Sequence, residues 1–321
     1  MGRDVSLRYA YFGSGTFAAR CLELLGAWRT PSWVVTAPSR PSGRGRKESP
    51  TPVGDMMRSG RFGSIPLVET PDASSCGDVL ALKERIRVDF IFVVDFGQIV
   101  REPVLALGDP VGCLNIHPSL LPLYRGAAPI QRALMDGADE TGVTVFKLVR
   151  GMDSGPILLQ EAVPVTEADD CASLRERAAR TGVGMFVRHA SANPIENWSF
   201  TPQDESRATR APKITPDEER IDWSRPSAEI AGKIRALSPK PGAWTTMRGR
   251  RVRVLSAEVP PRALCSECAV PGELDMGGIY PLVWTGDGAI VLCTLQAEGK
   301  KIQSAADWKN GLRAAMGECL V

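Results

Sequence analysis

At 321 residues the chain exceeds one ordinary domain, and two are expected. Its 43% hydrophobic content can fill two modest cores, no apolar run approaches the roughly 18 residues of a membrane span, and a net charge of +2 singles out no class of partner. The eight cysteines are scattered, and only Cys265 and Cys268 show CxxC spacing, without a second pair or a histidine cluster. That pattern, with no charged-then-apolar stretch at the N-terminus, reads as reduced thiols in a cytoplasmic protein with no metal site.

The first apolar run, Leu7 to Phe12, reads as a strand, followed by Gly13-Ser14-Gly15-Thr16-Phe17-Ala18 and a helix to about Gly26. This matches GxGxxG/A in strand–turn–helix context, so a dinucleotide site must be weighed. The second strand, Trp33 to Ala37, would then end in an acidic residue to hold a ribose, but it continues Pro38-Ser39-Arg40. The glycines therefore read as a tight turn beside a ligand cleft, and a phosphate-accepting role for Arg40 keeps the alternative open.

Arg40 to Lys47 carries four positive charges and no negative one, the composition of a solvated loop or of an arm gripping a polyanion. A helix from Pro50 to Arg58, a short strand at Ile65 to Val68 and a helix over Cys76 to Ile86 follow. Val88 to Val94 is a continuous apolar run, as expected of a parallel strand buried on both faces, and it leads into the loop Asp95-Phe96-Gly97-Gln98-Ile99. This alternation predicts an α/β fold with a doubly wound, mostly parallel sheet.

Val111 to Ile116 is a further strand, at whose end Asn115 and His117 stand two residues apart and so on one face. A Pro- and Gly-containing loop, an amphipathic stretch from Ala127 to Met135 and a strand from Gly142 to Val149 lead to the turn at Asp153 to Gly155. An amide, an imidazole and a carboxylate at strand ends suit attack of a neutral nucleophile on a carbonyl carbon, with donors for an oxyanion and groups to move protons. No GxSxG elbow surrounds Ser119, and Cys113 falls within the strand, so direct transfer between two bound substrates is the simpler scheme. An ordinary turn at a strand end would carry the same Asn-x-His.

Ile157 to Val165 reads as a strand and Cys171 to His189 as a helix. Asn193 to Pro212 is polar and aperiodic, an interdomain linker or a strap across the first domain. After a helix at Ser227 to Leu237, short strand-like runs (Ala243 to Met247, Arg251 to Ala257, Ile279 to Trp284, Ile290 to Gln296) suggest a small β-barrel. Twelve Lys/Arg stand against five Asp/Glu between Arg207 and Arg253, so a nucleic-acid or other polyanionic partner is expected.

Asn115-Ile116-His117-Pro118-Ser119-Leu120-Leu121-Pro122, then Tyr124 to Ile130, Asp139 to Thr144 and Met152-Asp153-Ser154-Gly155, resemble the signature of the folate-dependent formyltransferases. Arg40 to Lys47 resembles the basic insertion of the branch acting on methionyl-tRNA. Thr209 to Ile214, Ile221-Asp222-Trp223, Lys233 to Ala236 and Pro239 to Trp244 resemble its C-terminal domain. The resemblance implies a formyltransferase-like Rossmann variant at residues 1–192, a linker at 193–212 and an OB-like barrel at 213–321.

It further implies an enzyme of one-carbon transfer in translation initiation. The donor would be 10-formyltetrahydrofolate, the acceptor the α-amine of initiator methionyl-tRNA, and the protein a monomer. Asn115, His117 and Asp153 would be catalytic. Val94, Asp95, Phe96, Gly97, Gln98 and Ile99, with Ser119, Leu120, Leu121 and Pro122, would hold the folate. Arg40, Arg44, Arg46, Lys47, Lys213, Arg248, Arg250 and Arg251 would contact tRNA. Asp95-Phe96 departs from the more usual Ala-Tyr, Gly13-Ser14-Gly15-Thr16 from Gly-Thr-Pro, and Arg210 from an aromatic. The competing functions are a sugar-nucleotide N-formyltransferase, a dinucleotide-dependent oxidoreductase and a non-catalytic RNA-binding module.

Overall fold

A computed structural model describes residues 7–42, 47–260, 270–312 and 317–321. The described chain forms two compact units. One holds the residues up to Gly126 with Thr141–Val163 and Arg175–Arg210, and the other holds Ala127–Glu140, Pro164–Leu174 and Ala211–Val321.

The first unit is built on a seven-stranded sheet. Its strands in chain order are β1 (Tyr9–Gly13), β2 (Val34–Thr36), then, beyond a separate hairpin of β3 (Arg40–Ser42) and β4 (Lys47–Ser49), β5 (Leu67–Glu69), β6 (Phe90–Val94), β7 (Gly112–His117), β8 (Glu140–Lys147) and β9 (Ile157–Pro164). The spatial order is β5-β2-β1-β6-β7-β8-β9. All pairs from β5 to β7 are parallel, and β8 runs antiparallel to β7.

Period-two patterning explains the layers. Tyr9 and Tyr11 of β1 and Phe90, Phe92 and Val94 of β6 face one core, shared with α1 (Thr16–Trp28), α2 (Pro52–Arg58) and α5 (Cys171–Ala192). Ala10, Phe12, Ile91 and Val93 face the other, with α3 (Gly77–Arg85) contributing Val79. Aromatic contacts tie the first core together, Phe92 lying 4.8 Å from Phe186 of α5 in a T-shaped pair. The chain winds outward from β1 to β5 and returns to the other side of β1 as β6. The carboxyl ends of β1 and β6 therefore flank the switch point where such sheets bind ligands, and β7 stands next to it.

The expected loop at Arg40 to Lys47 is instead partly a ladder, with Arg40 opposite Ser49 and Ser42 opposite Lys47. A two-stranded ribbon lets the missing N–H of Pro41 face outward, so the proline that suggested a loop is tolerated. Arg44 and Arg46 lie outside the described residues, as do Cys265 and Cys268.

In the second unit, α4 (Pro129–Met135) packs on α6 (Ser227–Leu237) at Gly232, where a Cβ would stand 2.8 Å from Leu134 O. The strands are β10 (Ala243–Met247), β11 (Arg250–Glu258), β12 (Leu274–Asp275), β13 (Leu282–Trp284), β14 (Ala289–Ala297) and β15 (Gln303–Ser304), before α7 (Ala305–Leu312). They form an antiparallel sheet in the order β10-β11-β14-β13-β12, with β15 on β14. β13 starts later than the expected strand at Ile279, since Pro281 interrupts the run.

The two edges of that sheet are joined by the tail. Thr246 of β10 and Val321 exchange backbone hydrogen bonds of 2.7 and 2.9 Å, and Glu318 O accepts from Leu274 N of β12 at 2.8 Å. Leu320, buried, donates to Gly272 O at 2.8 Å. The tail thus serves as the closing strand of a small barrel. Arg248 (φ 49°) and Gly249 (φ 72°) make the two-residue β10–β11 turn, whose positive φ at both positions matches the twist of the ribbon.

Candidate active site

His117 is the last residue of β7, opposite Thr144 of β8, and Asn115 sits two residues earlier on the same face. The imidazole is buried, with Nε2 2.9 Å from Tyr124 O. A carbonyl only accepts, so Nε2 carries a proton and donates it. That leaves Nδ1 directed at Asp153, 3.8 Å from Oδ2. The imidazole and the carboxylate thus face each other at the end of β7. Asp153 has an αL backbone with φ 48°, and its Oδ2 is held by the Gly126 N–H, which donates to it at 2.8 Å. Asn115 is half-buried, and its amide makes no hydrogen bond among the described residues. It is a donor with nothing yet to donate to. The three residues expected to act together therefore share one rim.

No protein nucleophile competes. Cys113 lies wholly buried in β7, donates to Val104 O at 3.3 Å, and burial pushes its thiol up to about 12, so no thiolate forms near neutral pH.

The loop leaving β6 emerges beside this rim because β6 and β7 are parallel neighbours. Val94 and Phe96 are buried, Phe96 packing edge-on against Phe12 at 5.6 Å. Gly97 turns the chain with φ 73°, and Ile99 is 80% exposed, an apolar surface available to a flat ring. The Gln98 amide is occupied within the protein, accepting from Ala73 N at 2.9 Å and donating to Thr70 O at 2.7 Å. It fixes the loop and leaves backbone groups to face a ligand.

Asp95 resolves the Gly-rich turn. Its carbonyl accepts from Ser14 N and Gly15 N at 3.1 and 3.0 Å, and its carboxylate accepts from Phe17 N and Ala18 N. Although the residue as a whole is exposed, that carboxylate is turned onto the first turn of α1, and a Cβ on Gly15 would overlap it. Removal of that carboxylate from water raises the Asp95 pKa against the pull of Arg175 and the two N–H donors. The helix N-terminus that would receive a pyrophosphate is thus filled by the chain's own acid.

Ser119, Leu121 and Pro122 are buried and Leu120 is half-buried. Ser119 Oγ donates to Leu123 O at 2.6 Å, while Thr144 Oγ1 donates to Ser119 O and accepts from Leu121 N and Gln160 Nε2. This stretch braces the wall of the rim. Sequence reasoning gave no role to Thr144, Gln160, Arg125 or Gln203. Arg125 and Thr144 stand within the quoted signature stretches but act, like Gln160 and Gln203, through partners distant in sequence.

Of the basic residues, Arg40 belongs to the first unit and is exposed, and the Lys47 backbone lies in β4. In the second unit Lys213 and Arg250 are exposed, Arg251 stacks 3.9 Å over the Trp244 ring, and Arg248 pairs with Glu318 at 2.6 Å. Among the described residues no group of three His, Cys, Asp or Glu side chains is placed to hold a metal ion.

The family model described as Formyl transferase matches residues 8–189, and that described as Formyl transferase, C-terminal domain, matches residues 213–313. Fold and site together define the formyl transferase class. A methionyl-tRNA formyltransferase of Roseiflexus sp. (strain RS-1) is 39% identical over 318 residues, covering 98% of this chain and 95% of that protein. The chain belongs to the methionyl-tRNA formyltransferase family.

Solved structures agree in fold. WlaRD, a sugar 3N-formyl transferase, superposes with a TM-score of 0.64 at 16% identity, covering 92% of this chain and 99% of that one. HypX from Aquifex aeolicus in complex with tetrahydrofolic acid gives 0.59 at 17% identity over 97% of this chain, which spans only 48% of HypX.

Proposed function

We propose that the chain transfers a formyl group from 10-formyltetrahydrofolate to the α-amine of methionyl initiator tRNA. The observation that carries this reading is the buried His117–Asp153 pair on the same strand end as an Asn115 amide that has no hydrogen bond among the described residues, in a chain similar to methionyl-tRNA formyltransferases along nearly its whole length. The residues fit a folate. The backbone of the Asp95–Ile99 loop and the open face of Ile99 are available to a pterin, and the Asn115 amide is free for the formyl oxygen.

The bound folate supplies the formyl carbon. Asn115 donates a hydrogen bond to the formyl oxygen as negative charge develops there when the amine attacks. The His117–Asp153 pair takes the proton the amine loses and returns one to the departing folate nitrogen. Because Nε2 is fixed on Tyr124 O, the exchanging position is the Nδ1 side, where Asp153 stands. Arg40, Arg44, Arg46 and Lys47, with Lys213, Arg248, Arg250 and Arg251, supply positive charge for the phosphates of the tRNA. We read the protein as cytoplasmic, since the acceptor is a component of translation.

The test is an assay of purified protein with 10-formyltetrahydrofolate and either methionyl-tRNA or an amino-sugar nucleotide. Formyl-methionyl-tRNA is the expected product, and His117→Ala should lower kcat by about two to three orders of magnitude while leaving tRNA affinity unchanged. Formylation of the sugar nucleotide alone, or an alanine variant as active as wild type, would overturn the reading.

A further inference from the structure

Residues 201–210 are hydrogen-bonded along the first unit. Thr201 exchanges backbone hydrogen bonds with Ile157 of β9 at 2.7 and 2.8 Å, Thr209 O accepts from Arg125 N at 2.9 Å, and Thr209 Oγ1 accepts from Tyr124 N at 2.8 Å. Between these anchors the Gln203 amide spends all its hydrogen-bonding directions on the site. Nε2 donates to Asp153 O at 2.8 Å and to Gly155 O at 2.7 Å, and Oε1 accepts from Arg125 Nε and Nη2 at 3.0 and 2.7 Å. Arg125 is locked on its far side by Glu205, at 2.7 and 2.8 Å.

The contacts close a ring around the catalytic pair. The 124–126 loop gives His117 its acceptor at Tyr124 O and Asp153 its donor at Gly126 N, and it carries Arg125. The turn bearing Asp153 needs such support, since φ 48° at a non-glycine residue costs about 1 kcal/mol. On its other side it is pressed against β8, where a Cβ at Gly155 would overlap Lys147 O. The Gln203 side chain is bonded both to the Asp153 turn and to the loop that aims His117.

We propose that Gln203 is a positioning residue for the His117–Asp153 pair. It fixes the Asp153 turn against the 124–126 loop, so that removing its amide alters the imidazole environment and the rate of the chemical step without altering substrate binding. The proposal rests on the catalytic reading of that pair.

Two variants test it, Gln203→Ala and the isosteric Gln203→Glu, which still accepts from Arg125 but cannot donate to the two carbonyls at neutral pH. Both should lose about tenfold or more in kcat with KM for donor and tRNA nearly unchanged. The chain has two histidines, so imidazole nitrogen NMR resolves both, with His189 as an internal control. The His117 signals should move in both variants while those of His189 stay in place. Wild-type kcat, His117 signals superposing on wild type, or the loss of both histidine signals together with a lowered Tm would each overturn the proposal. If the wild type forms no formyl-methionyl-tRNA, the functional reading fails instead, and the His117 signals still decide the positioning role.

Discussion

Replacing Asp95 with alanine removes the acceptor for two N–H groups in the first turn of α1, whose N-cap, Gly15, has no side chain to substitute. It also forces a Cβ-bearing residue without a helpful side chain to hold φ 41°. Loss of a cap costs about 1 kcal/mol, so Asp95→Ala should lower Tm by a few degrees in a thermal scan. Asp95→Asn keeps an oxygen acceptor and tolerates the αL backbone, so it should recover much of that loss. Equal Tm values for the two variants would show that the carboxylate is not the cap. At this scale the sequence was legible for the local motif and silent about long-range partners. Asn115, His117 and Asp153 stand in recognisable short patterns, whereas Asp95 meets Phe17 and Ala18, and Gln203 meets Asp153, only after the sheet and strap have formed. Asp95 looked like a minor departure in a folate loop, and the Gly-rich segment like a tight turn beside a ligand cleft, with a dinucleotide site left open as the alternative. One carboxylate accounts for both.

Between elements, the second unit uses an ion pair to tie α4 to the segment before α6. Arg132 meets Glu218 at 2.6 Å, and Glu218 also closes a capping box with Thr215. The guanidinium first, then the Thr215 N–H, lowers the Glu218 pKa from 4.5 to about 2. A depressed carboxylate pKa contributes stability above the ordinary value and loses it as pH falls through 4.5 towards 2. The side chain is 35% exposed, so solvent screening limits the contribution to about 1 kcal/mol. Glu218→Gln should therefore unfold a few degrees earlier than wild type at pH 7, with the gap shrinking across that acid window. A gap as wide at pH 3 as at pH 7 would exclude the ion pair as its source. The helices and strands themselves were readable because their apolar periods are long. The continuous apolar run of β6 announced a strand buried on two faces, while β12 and β15, two residues each, are too short to show a pattern. The hairpin of β3 and β4 was hidden because its prolines and charges match a loop equally well.

For the molecule as a whole, no helix among the described residues is long and apolar enough to cross a membrane. The two edges of the barrel sheet in the second unit are bridged by Glu318–Val321, a tail with no strand-like pattern of its own. Its hydrogen bonds to Thr246, Gly272 and Leu274 do what a sixth neighbour would do in a longer barrel. Deleting these four residues removes the buried Leu320 and should lower the Tm of that unit by several degrees. It would also leave the Thr246 N–H and C=O of β10, the Leu274 N–H of β12 and the adjacent Gly272 C=O without these partners, open positions on which another copy can add its own strand. A shortened chain should then elute from a sizing column as concentration-dependent aggregates where the intact chain does not, and identical elution profiles would show that neither margin depends on the tail for protection.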